Sequence, residues 1–202
     1  MNLRKELLNY YKMAYGDSLM TGTSGNASVL LGEDSVLITP SSLGHKKMTV
    51  QDLMVIDFDG NILEGEHKPS SEWRMHVAIY QNCGFAKAVF HTHSPYATAY
   101  AVADKEIPEI LVEMRAFTDG AIPVSRFALA GSTNLGKNVA DVLWDRRTCL
   151  MQNHGVVAVG DTIGDAFLRA AYVEDAAKIC YFASNIGRAA TISEIAEGAQ
   201  SS

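Results

Sequence analysis

At 202 residues the chain suffices for one domain with a substantial core, and 48% apolar with 20% charged residues is the mix of an ordinary globular protein. A net charge of −6 argues against nucleic acids or an anionic membrane as partners, since both call for a basic face. A small anionic substrate stays open, because a metal or aligned backbone N–H groups supply positive potential locally.

Leu3, Leu7, Leu8, Tyr11 and Met13 recur at mostly helical spacing and predict an amphipathic helix over 3–15. Thr21-Gly22-Thr23-Ser24-Gly25-Asn26 reads as a hydrogen-bonding turn. Short strands are expected at 27–31, 35–39 and 53–57, the last running into the turn Asp57-Phe58-Asp59-Gly60-Asn61. Pro69-Ser70-Ser71-Glu72 opens a helix to about Asn82, with Met75, Ile79 and Cys83 in one apolar row and Trp73, Val77 and Tyr80 in another. A strand at 86–92 and a helix at 97–102 follow, then short irregular or extended pieces to Val124. Residues 133–145 read as helix, 148–152 with 156–159 as a strand pair around Asn153-His154-Gly155, and 162–185 as a final helix. The tail after Gly187 is small and polar, and reads as loose or ordered by a partner.

No internal repeat or linker divides the chain, so a single domain over 1–202 is expected. Strands and helices interleave, yet the early connections are short enough for antiparallel pairing. A layered α/β domain with a mixed sheet is therefore expected. Cys83, Cys149 and Cys180 are odd in number, widely spaced and without CxxC, as reduced buried thiols would be. Met1-Asn2-Leu3-Arg4-Lys5-Glu6 lacks the apolar core of a secretion signal, and no apolar run approaches the roughly 20 residues that cross a bilayer. A soluble, cytoplasmic protein is expected.

The chemistry concentrates in Val89-Phe90-His91-Thr92-His93-Ser94, a His-x-His at the end of an apolar run. Side chains two apart on a strand share a face, so His91 and His93 can aim their imidazoles at one point. His154 waits where another apolar strand gives way to a turn. Three neutral imidazoles leaving an open position are suited to a catalytic divalent metal such as zinc. His45, His67 and His76 carry no such spacing and read as ordinary core or surface histidines.

Glu72 is the acidic candidate beside them. It falls in the expected first helical turn, where the helix dipole alone would explain a carboxylate. Ser70 and Ser71 before it bring two hydroxyls to free helix-start N–H groups, which makes an anion site or simple capping. Gly25 with Asn26, and Ser41 with Ser42 after Ile38-Thr39-Pro40, form two more turns of this character. A polyhydroxylated, phosphorylated ligand fits them better than a nucleotide, since neither a P-loop nor GxGxxG is present.

Thr23-Ser24-Gly25-Asn26, Ile38-Thr39-Pro40-Ser41, Pro69-Ser70-Ser71-Glu72, His91-Thr92-His93 and His154-Gly155, in this order and spacing, resemble the class II aldolase/adducin family from about residue 3 to 185. The resemblance implies a three-layer α/β/α domain with a mixed, largely antiparallel central sheet. It further implies a cyclic homotetramer with active sites at subunit interfaces and one zinc ion per subunit. His91, His93 and His154 would bind the metal. Glu72 would be the catalytic acid/base, also touching the metal at rest. Gly25, Asn26, Ser41, Ser42, Ser70 and Ser71 would hold the substrate phosphate. The implied reaction cleaves a ketose 1-phosphate, such as L-fuculose 1-phosphate, to dihydroxyacetone phosphate and an aldehyde through a metal-stabilised enediolate.

One position departs from the pattern. Members acting on L-fuculose 1-phosphate carry a proton-donating tyrosine a few residues past an Ile-Pro, where this chain has Val112 after Ile107-Pro108. Val112 cannot transfer a proton; Glu113 is either displaced into the role or an ordinary surface charge. Competing activities on the same scaffold are a 4-epimerase of L-ribulose 5-phosphate, whose members have Pro-Ser-Ser-Asp where Glu72 stands here, and a dehydratase or decarboxylase of a phosphorylated sugar. A non-catalytic adducin-like module would be expected to have lost the ligands that this chain keeps.

Overall fold

The Asn2 side chain accepts a hydrogen bond from the Arg4 amide and starts α1 (Leu3–Gly16), which buries Leu7, Tyr11 and Ala14 at helical spacing. The computed structural model describes residues 2–200; Met1, Ser201 and Ser202, at the ends of the expected domain span, lie outside the described residues. The strands are β1 (Asn26–Leu31), β2 (Ser35–Ile38), β3 (Met54–Asp57), β4 (Ile62–Glu64), β5 (Ala88–Thr92), β6 (Val124–Ser125), β7 (Thr148–Met151) and β8 (Gly155–Gly160). They form one sheet in the order β4-β3-β2-β1-β5-β8-β7-β6. Every pairing is antiparallel except β6 with β7. The remaining helices are α2 (Trp73–Asn82), α3 (Pro95–Val102), α4 (Met114–Phe117), α5 (Thr133–Leu143), α6 (Ile163–Ile186) and α7 (Ile192–Gln200).

Strand alternation sorts the core onto two faces of the sheet. Val36, Ile38, Ile56, Val89, Val157 and Val159 meet Met75, Ile79, Leu135, Val139 and Leu143 of α2 and α5. On the other face Ala27, Val29, Leu37, Ala88 and Phe90 meet Leu7 and Tyr11 of α1 and Phe167 of α6. α3 and α6 close a third cluster around Ile107, Met114, Leu150 and Val173. Each fully buried Leu, Ile or Phe contributes about 1.5–3 kcal/mol over exposure, so helix–sheet packing holds the three layers together. The mixed, largely antiparallel α/β/α architecture expected from the motifs is what forms, and Cys83, Cys149 and Cys180 are free and buried. Among the described residues no helix is long and apolar enough to cross a membrane.

Three short elements carry no periodic signal: β4, whose three residues are all exposed, α4 and β6. The tail, read as loose or ordered by a partner, carries a helix of its own. Thr191 and Glu194 cap each other's backbone N–H groups at 2.8 and 3.3 Å, and the Ile192 amide donates to the Glu109 carbonyl at 2.9 Å. That reciprocal cap starts α7.

A candidate metal centre beneath a hydroxyl-lined pocket

Register decides where His91 points. It pairs with Asn26 across β1 and with Val157 across β8, on the same side of β5 as Val89, which is the side covered by α2. His93 lies just past the strand, its amide held by the Leu19 carbonyl at 3.1 Å. His154 sits in the β7–β8 turn, where Asn153 takes a positive φ. The three rings stand with centroids 4.7, 4.9 and 5.1 Å apart, and one nitrogen from each lies within 4.8 Å of the others. Gly155 makes this closeness feasible: a Cβ there would stand 2.3 Å from the Thr92 carbonyl oxygen and against both the His91 and His93 rings.

Glu72 completes the cluster from α2. It stands at the N-cap position instead of the expected first turn, and its side chain makes no capping hydrogen bond. The dipole explanation therefore does not account for its carboxylate, which turns inward. Oε2 is 3.1 Å from His91 Nε2 and Oε1 is 3.3 Å from His154 Nε2. Asn26 Nδ2 donates to Oε2 at 2.9 Å, while Oε1 is buried without a hydrogen bond.

His91 Nδ1 donates to the Val156 carbonyl at 2.8 Å, which leaves the Nε2 lone pair facing His93 Nε2 at 2.9 Å and the carboxylate. Acceptors brought this close in a buried site call for positive charge between them, a proton or a metal ion. The donor set fits a divalent metal: three imidazole nitrogens, one carboxylate with an orphaned oxygen, and a ring fixed by a backbone carbonyl on its far side.

Titration shows where positive charge settles in the cluster. Burial alone would raise the Glu72 carboxyl, but the charge and hydrogen bond of His91, with the Asn26 hydrogen bond, hold it well below the usual carboxylate range. Burial would lower His91, yet the Glu72 charge wins and raises it. Burial, with charge on His91 beside them, pushes His93 down to about 3 and His154 to about 4. Both rings are thus neutral at pH 7, as metal ligation requires.

Above the cluster opens a cavity of about 280 Å³ lined by Gly25, Asn26, Ser41, Ser42, Ser70, Ser71, Glu72, His93 and His154, with Thr23, Ser24, Pro40 and Ala130. All six residues expected at a phosphate line it, and His91 lies buried below. The Ser41 amide donates to Lys68 and the Ser70 amide to Thr39, at 2.9 and 3.1 Å, so the two serine turns are stitched side by side. Gly25, at φ +75°, lies where a Cβ would meet the His91 carbonyl oxygen at 2.8 Å, so backbone approach there demands glycine. Tyr15 Oη donates to the Ser24 carbonyl at 2.9 Å and anchors that loop. Just ahead of α2 the Ser70 Oγ accepts from the Glu72 amide at 3.3 Å.

Both ends of the Asn26 amide are engaged inward, on Glu72 and on His76. Val112, expected at a position that acts across a subunit interface, is exposed, and Glu113 precedes α4. His76 was not singled out by the sequence, although it stands four residues after Glu72 on the same helical face. Ala130 had no signal, since only tertiary folding brings its loop over Ser71.

The class II aldolase and adducin N-terminal domain model matches residues 5–181. An L-fuculose phosphate aldolase of Methanococcus maripaludis is 33% identical over 181 residues, covering 90% of this chain and 97% of that protein. A 5-deoxy-D-ribulose 1-phosphate aldolase of Bacillus thuringiensis is 34% identical over 185 residues, covering 91% and 86%. Among solved structures, an L-fuculose 1-phosphate aldolase has a TM-score of 0.90 at 34% identity, over 95% of this chain and 90% of the other. YgbL of Klebsiella pneumoniae, described by aldolase, epimerase and decarboxylase together, has a TM-score of 0.87 at 26% identity, over 96% of both chains.

Proposed function

The chain belongs to the class II aldolase and adducin N-terminal domain family, a membership that makes it a metal-dependent lyase acting on a phosphorylated sugar, and we propose that it cleaves a ketose 1-phosphate to dihydroxyacetone phosphate and an aldehyde. The observation that carries this reading is the convergence of His91, His93, His154 and Glu72 at the floor of a hydroxyl-lined cavity. Zinc is the metal we assign, because three imidazoles and a carboxylate are its usual ligands.

When bound, the cation supplies positive charge against the negative charge that develops on substrate oxygen as the carbon–carbon bond breaks. The chain's own groups do the rest. Ser70, Ser71, Ser41 and Ser42 orient the phosphate with their hydroxyls. Glu72, held by Asn26, carries the proton to and from the carbon that becomes nucleophilic. Glu72 and His91 are themselves buried, which strengthens the electrostatic interactions they make.

The similarity to aldolases of two different sugars supports 1-phosphates of deoxyketoses, L-fuculose 1-phosphate and 5-deoxy-D-ribulose 1-phosphate, as the substrates to try first. A 4-epimerase, a dehydratase or a decarboxylase shares the enolate chemistry; Glu72 in place of aspartate favours the aldolase. Retention of all four candidate metal-site residues speaks against a non-catalytic module.

Cytoplasmic location, a single catalytic domain over 1–202, and a homotetramer with interface sites belong to the same proposal. Exposed Leu168, Tyr181, Phe182 and Ile186 on α6 support the assembly. The metal-loaded protein is to be assayed against ketose 1- and 5-phosphates for release of dihydroxyacetone phosphate. Release from at least one 1-phosphate is expected, and release from none would overturn the reading.

Ser71→Ala isolates the phosphate role. Among the described residues no hydrogen bond uses the Ser71 hydroxyl, while the Ser70 hydroxyl accepts from the Glu72 amide. A hydrogen bond to a charged group is worth about 1.5–3 kcal/mol, so the substrate dissociation constant should rise by roughly one to two orders of magnitude. Metal content should hold. A fall in melting temperature with unchanged affinity would instead assign Ser71 to capping.

A further inference from the structure

Behind Asn26 the structure buries a run of polar groups that the reaction does not touch. His76 is wholly buried in α2, its Nε2 on Asn26 Oδ1 and its Nδ1 2.6 Å from Ser28 Oγ. Ser28 Oγ is in turn 2.7 Å from Tyr80 Oη, one helical turn beyond His76. Four side chains, two from β1 and two from α2, thus lead away from the Glu72 carboxylate through the core.

Hydrogen positions along this run follow from the chemistry of its groups and the complete burial of His76. A carboxylate only accepts, so Asn26 presents its NH2 to Glu72 and its carbonyl oxygen to His76. That oxygen needs a donor, which puts a proton on His76 Nε2. Burial holds the ring neutral, with its pKa pushed down to about 3, so Nδ1 is a bare acceptor. Ser28 must then donate to Nδ1, and with its only hydrogen spent it accepts from Tyr80. Every link has one allowed direction: Tyr80 to Ser28 to His76 to Asn26 to Glu72.

We propose that His76 is a positioning residue for Glu72, acting through a one-way hydrogen-bond chain that starts at Tyr80 and locks Asn26 with its NH2 on the carboxylate. The chain excludes the other amide orientation, which would set a carbonyl oxygen against the carboxylate. It also keeps Oε2 aimed at His91 without blocking the metal side. This role rests on the reading of Glu72 as acid/base and metal neighbour. The direction of the chain is testable apart from it.

Two substitutions split the two ends of the imidazole. In His76→Gln the amide nitrogen reaches about where Nε2 stands and can still donate to Asn26. In His76→Asn the shorter side chain reaches only the Ser28 end. Outer-shell partners of metal sites typically change affinity 10–100-fold when lost. Chelator competition on the metal-loaded protein should therefore show affinity reduced by about 10–100-fold in His76→Asn and close to the parent in His76→Gln. A merely structural histidine would lower the melting temperature in both and leave no such order between them.

A second measurement needs no variant. In the metal-loaded parent protein, labelled with 15N at histidine, NMR should find His76 protonated on Nε2 and His91 on Nδ1. A proton on His76 Nδ1, or equal loss of metal affinity in the two variants, overturns the proposal. A Glu72 that proves inactive in proton exchange removes the acid/base role and leaves the tautomer result standing, so the two failures are distinguishable.

Discussion

Glu72→Gln is expected to slow exchange of the carbon-bound proton of dihydroxyacetone phosphate by about 10²–10⁴-fold, the scale of a lost general acid or base. The substitution is nearly isosteric, and glutamine can still accept from Asn26 Nδ2, which stands 2.9 Å from Oε2. What disappears is the ability to take a proton and the negative charge facing His91 and His154 at 3.1 and 3.3 Å. Phosphate binding should be intact, because Ser41, Ser42, Ser70 and Ser71 line the cavity independently of that carboxylate. Deuterium incorporation into dihydroxyacetone phosphate, followed beside metal content, reads the result. Exchange at the parent rate in the metal-loaded variant would remove Glu72 from the role.

His93→Ala should lose the metal and, with it, measurable turnover. One of three imidazoles goes, which takes one of the four donors off the ion and opens the site to water. The fold should persist: His93 lies just past β5, and no member of the three core clusters depends on its ring. The variant should therefore melt where the metal-stripped parent melts, since both lack only the stabilisation a bound ion supplies. Full metal occupancy in well-folded His93→Ala would show the ligand assignment to be wrong.

Periodicity made the long elements legible. α1, α2, α5 and α6, and the strands on both sides of them, lie within a few residues of where apolar spacing and turn chemistry place them. The His91/His93 pair was legible for the same reason, since spacing of two on a strand is itself geometry. β4, α4 and β6 were not, because two to four residues hold no period. The α7 start was written in Thr191 and Glu194 as a capping box, but a polar composition masked it.

In the site, residue types marked the hydroxyls and ligands, while their division of labour depended on partners far along the chain. Asn26 reaches Glu72 across 46 positions and His76 across 50. No local pattern separates an amide that grips a phosphate from one that braces a carboxylate.

The outermost strands carry a consequence for how copies of this chain can associate. β4 has three residues and β6 two, and the Arg4 side chain lies over the β4 end, bonded to the Leu53 carbonyl and paired with Glu64. A sheet that tapers in this way presents almost no unpaired backbone for a foreign strand to extend, and charge at its border discourages the attempt. Self-association is thus steered away from strand addition, the route toward fibres, and toward contacts made by side chains on helices and loops. Unchanged amide hydrogen exchange in β4 and β6 upon assembly would bear that out.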